Sequence, residues 1–172
     1  MPLNSLESFG NFADIVAVPI AVLGVALIVR QLSLARLESE REHQRRQNEM
    51  TLNAYNTIRG DLRETIRRVR HKLKLEDMFD TFSEEHLELI INDKLLRDDV
   101  ARMLGFLNKF AVGIKYDVFN ILLVNDLAGK LFIETYKQFK PYIIWVRKDS
   151  DHFYLDYENL VSELQRMQYS PN

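Results

Sequence analysis

The stretch Ile-Val-Ala-Val-Pro-Ile-Ala-Val-Leu-Gly-Val-Ala-Leu-Ile-Val, from Ile15 to Val29, carries no charged and no strongly polar side chain. With Phe12, Ala13 and Asp14 the run reaches 18 residues, about 27 Å of helix at about 1.5 Å per residue. A bilayer hydrocarbon core is about 30 Å thick. Asp14 at one rim and Arg30 at the other can reach headgroups as interface anchors, Arg30 by snorkelling. Leu32 and Leu34 extend the apolar character. The run is therefore read as one transmembrane helix over residues 12–32, behind a short extracytoplasmic tail of residues 1–11. The competing reading is a buried helix of a soluble domain, because the run lies near the length that separates the two cases. Its N-terminal position and basic flank favour the membrane. A cleaved signal peptide fits less well, since no Lys or Arg precedes the run and no clear Ala-x-Ala site follows it.

Pro19 and Gly24 lie within the span, where both residue types are tolerated. Ala13, Ala17 and Ala21 recur every four residues as a small-residue ridge along which two helices could associate. Before the span there is no basic residue; after it come Arg30, Arg36, Arg41, Arg45 and Arg46. The positive-inside rule then puts the N-terminus outside and the remainder of the chain in the cytoplasm.

The 172 residues amount to about one domain in length. Lacking cysteine, the chain can hold no disulfide, thiol nucleophile or zinc–cysteine site. A hydrophobic share of 47% argues against disorder. Formal net charge is −2, but it conceals segregation. Residues 36–74 carry net +5 and residues 75–99 net −7.

Downstream of the span every segment reads as helix. Residues 33–50 interleave Arg and Glu with almost no apolar face, a polar exit helix that would serve as a stalk or as part of an assembly. Residues 51–172 are expected to form a cytoplasmic α-helical domain. In it, Tyr55, Ile58, Leu62, Ile66, Val69 and Leu73 step by three and four along one face, with Gly60 as a weak point. Ser83 followed by Glu84 and Glu85 makes a helix start, and Asn92-Asp93 a turn. Leu96 to Ile114 carries the next stripe, and Phe119, Leu122, Leu123, Leu127, Leu131 and Phe132 mark a helix to about Phe139. Pro141 is expected to stop or kink the chain, or to open another helix through Ile143, Ile144 and Val146. Asp149-Ser150-Asp151 reads as a loop before a last helix containing Tyr157, Leu160, Val161 and Leu164. The fold class is all-α: one N-terminal transmembrane helix continuing into a cytoplasmic helical bundle. Phe106, Phe110, Phe132, Tyr136, Phe139, Tyr142 and Trp145 sit at helical spacings and read as core.

Catalytic signatures are missing from the sequence. His43, His71, His86 and His152 fall on different segments in no metal-binding pair, and there is no phosphate loop or nucleophile elbow. No metal, cofactor or enzymatic activity is expected. The sharpest polar feature is Arg59, Arg63, Arg67 and Arg70, which spacing by four and three puts on one helix face, with Arg68, Lys72 and Lys74 beside them. Three readings stay open. The arginines could be a solvated face that pairs with the acidic block at residues 76–99. They could bind anionic lipid headgroups. They could also bind phosphate in a nucleotide or nucleic acid, with membrane proximity favouring lipid over nucleic acid.

Two blocks carry a resemblance: Leu104-Gly105-Phe106-Leu107-Asn108-Lys109-Phe110-Ala111-Val112-Gly113-Ile114, and Tyr136-Lys137-Gln138-Phe139-Lys140-Pro141-Tyr142-Ile143 followed by Arg147. In these the chain resembles an uncharacterised bacterial family of membrane-anchored helical proteins, a domain of unknown function numbered forty-seven sixty. Asn and Glu usually stand where this chain has Gly105 and Asn108, which removes a carboxylate. The resemblance implies a bacterial inner-membrane location and supplies no reaction or substrate. The expected function is a non-enzymatic module for protein–protein interaction or self-assembly at that membrane. Its expected partners are membrane lipid and either a second copy or another protein, not nucleic acid. The alternative is a ligand-gated membrane effector, for example in phage defence, that senses an anionic signal through the cytoplasmic domain.

Overall fold

In the computed structural model the backbone is described for residues 4–75, 80 and 82–169, and side chains for residues 25–75, 80 and 82–168. All regular structure among these residues is helical, in the order α1 (Asn4–Leu73), α2 (Glu84–Asn92), α3 (Lys94–Lys115), α4 (Ile121–Val146) and α5 (Leu155–Tyr169). The chain divides into two units, Met1–Arg45 and Arg46–Asn172. Among the described residues no helix is long and apolar enough to cross a membrane. Most of the expected span, together with Ala13, Asp14, Ala17 and Ala21, lies outside the residues whose side chains are described. In the described part of the first unit, Arg30 is exposed, as are Val25, Leu27, Ile28, Val29, Leu32, Leu34 and Leu37.

The second unit holds the core. On α1 the stripe read from the sequence is turned inward. Leu62, Val69 and Leu73 are buried, and Tyr55, Ile58 and Ile66 pack partly buried against them. Gly60 does not interrupt the helix. The helix ends at Lys74, whose φ of 53° reverses the chain. There the Leu75 amide donates to the Arg70 carbonyl at 3.0 Å and the Lys74 amide to the His71 carbonyl at 3.3 Å, a Schellman closure with Leu75 tucked into the core. Asp117 (φ 58°) closes α3 in the same way, with the Val118 amide on the Gly113 carbonyl at 2.8 Å.

The helix starts follow side-chain chemistry. Ser83 caps α2 in a reciprocal box with His86, whose ring nitrogen accepts the Ser83 amide at 2.9 Å. Asp93 alone separates α2 from α3, and its carboxylate accepts the Leu96 amide at 3.0 Å. Asn120 caps α4 through the Leu122 and Leu123 amides.

One expectation about α4 needs correction. Pro141 neither stops the chain nor starts a new helix; it lies inside α4, and Ile143, Ile144 and Val146 belong to the last turns of that helix. A proline removes one backbone bond, but Tyr142 and Ile143 beside it are buried, and that anchorage carries the helix through. The inward face of α4 is set by Val124, Phe132, Ile133, Tyr136, Phe139 and Ile143, which leaves Leu122 exposed. An aromatic chain joins the layers: Phe110 of α3 meets Phe132 of α4 edge-on at 5.9 Å, and Phe132 meets Tyr157 of α5 at 6.0 Å. The expected core aromatics are buried except Phe106 and Trp145, which are half-buried.

Candidate anion-binding groove

The four arginines singled out in the sequence do not act together. At about 100° per residue, Arg59, Arg63 and Arg70 fall within about 40° of one another, whereas Arg67 stands further round. Arg59, Arg63 and Arg70 line a half-open groove of about 230 Å³ whose floor is Tyr55, Leu62 and Ile66 of α1 and Leu131 of α4. Among the described residues these three form no ion pair and no side-chain hydrogen bond. Arg67 is instead paired with Glu64 at 2.7 Å and lines a separate depression with Arg68, His71 and Lys72.

Pairing with the acidic block does occur, through the other side of α1. Arg68 donates to both oxygens of Asp99, at 2.9 and 3.2 Å, and Lys72 to Asp93 at 3.1 Å. These two bridges tie α1 to α3. Asp99 is held below the usual carboxylate range mainly by the Arg68 guanidinium. Asp93 is lowered first by the Leu96 amide it caps and then by Lys72.

Two further polar clusters had no signal in the sequence. At the start of the second unit, the Gln47 amide donates to the Asp117 carboxylate at 2.7 Å and to its carbonyl at 2.8 Å. The Asn120 side chain donates to Asn48 at 2.7 Å, and its backbone amide donates to the Thr51 hydroxyl at 2.9 Å. Between α4 and α5, the Tyr136 hydroxyl donates to Glu158 at 2.5 Å, and Arg147 contacts the other Glu158 oxygen at 2.7 Å. The Arg147 side chain also donates to the Phe153 carbonyl at 2.8 Å, closing the intervening turn. Burial, and then Glu158, raises the Tyr136 hydroxyl far above its ordinary range, so it stays a donor. Glu158 is lowered chiefly by that hydroxyl and next by Arg147. Apart from the contacts of Arg147, these partners are separated by 22 to 72 residues, so only packing brings them together.

These shifts have one pH consequence. Asp93, Asp99 and Glu158 all favour the charged form in the fold. Their stabilisation is complete above the unfolded carboxylate range and is lost as pH falls through the lowered folded values. Thermal melts of the full chain should therefore weaken steadily from about pH 5 to pH 3. The double variant Asp99→Asn, Glu158→Gln should be less stable at neutral pH and show a flatter slope. An unchanged slope would refute these assignments.

Among the described residues no group of three His, Asp or Glu side chains could hold a metal ion. At the positions where the family resemblance departs, Gly105 has open space around it, and the Asn108 side-chain oxygen Oδ1 is buried with no hydrogen-bond partner among the described residues.

The chain is thus an all-α protein in which the C-terminal part of a long helix is built into a compact bundle and bears an arginine-lined groove. It belongs to the family described as Domain of unknown function (DUF4760), whose pattern it matches over residues 20–164. No curated protein and no solved structure matches it.

Proposed function

We propose that the protein is a non-enzymatic, single-pass membrane-anchored helical module of the bacterial inner membrane. Residues 12–32 are the anchor, residues 1–11 the outer tail, and the bundle faces the cytoplasm to bind a protein partner or a second copy. One observation carries this reading. From Val25 to Leu37, seven large aliphatic side chains of α1 are each more than half exposed. They continue the uncharged run that begins at Ile15. A helix apolar on all sides needs a cover, and lipid is the cover that suits its sequence. The basic residues that follow it supply the orientation.

The test is fractionation of the full chain expressed in bacteria. Wild type should remain in the membrane pellet after a carbonate wash and enter solution only with detergent. The double variant Leu27→Asp, Ile28→Asp should shift most of the protein to the supernatant, since a charge within a span costs about 2.5–3.5 kcal/mol. Wild type in solution without detergent would end this reading.

A second reading, a ligand-gated membrane effector such as a phage-defence protein, is favoured by the three arginines that line one groove. It requires that expression with an anionic signal collapse the membrane potential, and that Arg63→Gln abolish the collapse.

A further inference from the structure

We propose that the groove between α1 and α4 binds an acidic phospholipid, with the phosphate on Arg59 and Arg63 and one acyl chain along the apolar floor toward Arg70. The basic side chains of α1 and its neighbours differ in what they face. Arg67, Arg68, Lys72, Lys115, Lys137 and Arg147 each sit against a carboxylate of this chain. Among the described residues the three groove arginines do not. Arg59 and Arg63 repel at i,i+4; Asp61, between them in sequence, falls about 200° round the helix from Arg59 and off their strip, and Arg70 lies two turns beyond Arg63 on it. A phosphate relieves that repulsion, and guanidinium forks suit it geometrically.

The floor decides what else the ligand carries. It is aliphatic apart from Tyr55, whose ring lies in a T-shaped contact with Phe110 at 6.5 Å. From Tyr55 to Arg70 the lining runs about 22 Å along the helix. The volume of about 230 Å³ is below the roughly 300–1,000 Å³ that encloses a compact ligand. A long, narrow, half-open slot rimmed by cations fits an alkyl chain with an anionic head. It does not fit a planar nucleotide. The site is built wholly from residues of the second unit.

The experiment uses the full chain purified in an uncharged maltoside detergent and isothermal titration calorimetry. The probes are dihexanoyl phosphatidylglycerol, dihexanoyl phosphatidylcholine, glycerol phosphate and AMP. Phosphatidylglycerol should bind, and the zwitterionic lipid and the bare headgroup should each bind about tenfold or more weakly. Arg59→Gln with Arg63→Gln should weaken the acidic lipid about tenfold or more, with an unchanged melting temperature to show that the fold persists. Arg67→Gln, which lies off the groove, should bind like wild type. Leu131→Asp should also abolish binding by charging the floor. Equal binding of the two lipids, tighter binding of glycerol phosphate or AMP, no binding, or an unaffected double variant would each overturn the proposal. None of these outcomes bears on carbonate extraction, so the anchoring reading stands or falls separately.

Discussion

Phe132→Ala is expected to destabilise the bundle by about 3–5 kcal/mol and lower its melting temperature by roughly 10–20 °C. Phe132 is 1% exposed and stands between Phe110 and Tyr157, meeting both rings nearly at right angles. Its backbone carbonyl also accepts the buried Tyr157 hydroxyl at 2.7 Å. Truncation removes the ring where α3, α4 and α5 converge, and close-packed walls collapse only partly into the space. The groove residues are untouched, so the variant separates stability from lipid binding at temperatures below its melt. Circular dichroism melts in detergent would check this. A shift of only a few degrees would mean the core is not closed around this ring.

Gly113→Val is expected to cost about 1–3 kcal/mol or more, against the usual direction for a helical glycine. Gly113 has ordinary helical geometry, with no positive φ, so replacing it would normally gain helix propensity. Here the Phe119 ring occupies the place of the missing Cβ. Phe119 cannot retreat freely: its ring packs on Phe110 at 5.1 Å, and its amide donates to the Gly113 carbonyl at 3.2 Å. The reversal that connects α3 to α4, and with it the Asn120 cap, would shift. Gly60→Ala is the control. No atom lies within 4 Å of its added Cβ, and it should stabilise α1 by up to about 1 kcal/mol. Paired denaturant titrations would read the opposite signs, and a stabilised Gly113→Val would refute the packing argument.

The contrast between these glycines marks where sequence reading stops. In the sequence Gly60 reads as a weak point in a helix and Gly113, with Tyr116 and Asp117, as the approach to a helix end; only the neighbour supplied by a later segment gives them opposite roles. Pro141 is similar. A local rule says the helix breaks, yet burial of Tyr142 and Ile143 outweighs one missing backbone bond. Arg67 was grouped with Arg59, Arg63 and Arg70 because a spacing of three and four tolerates a wide face. The structure divides the four by a single angular step and by Glu64.

The sequence by itself determined the helical class, the inward stripes of α1 and α3, the Ser83 start and the break at Asn92-Asp93, because helix period and capping are local properties of a few adjacent residues. It also showed the uncharged run from Ile15 to Val29 and the charge segregation, for both are linear facts. The tertiary structure alone decided that Arg68 and Lys72 meet the acidic block, that Tyr136 and Arg147 share Glu158, and that Leu131 completes an arginine-lined groove. Those pairings join residues on different helices. They depend on the direction in which each packed helix turns its faces, which no local pattern encodes.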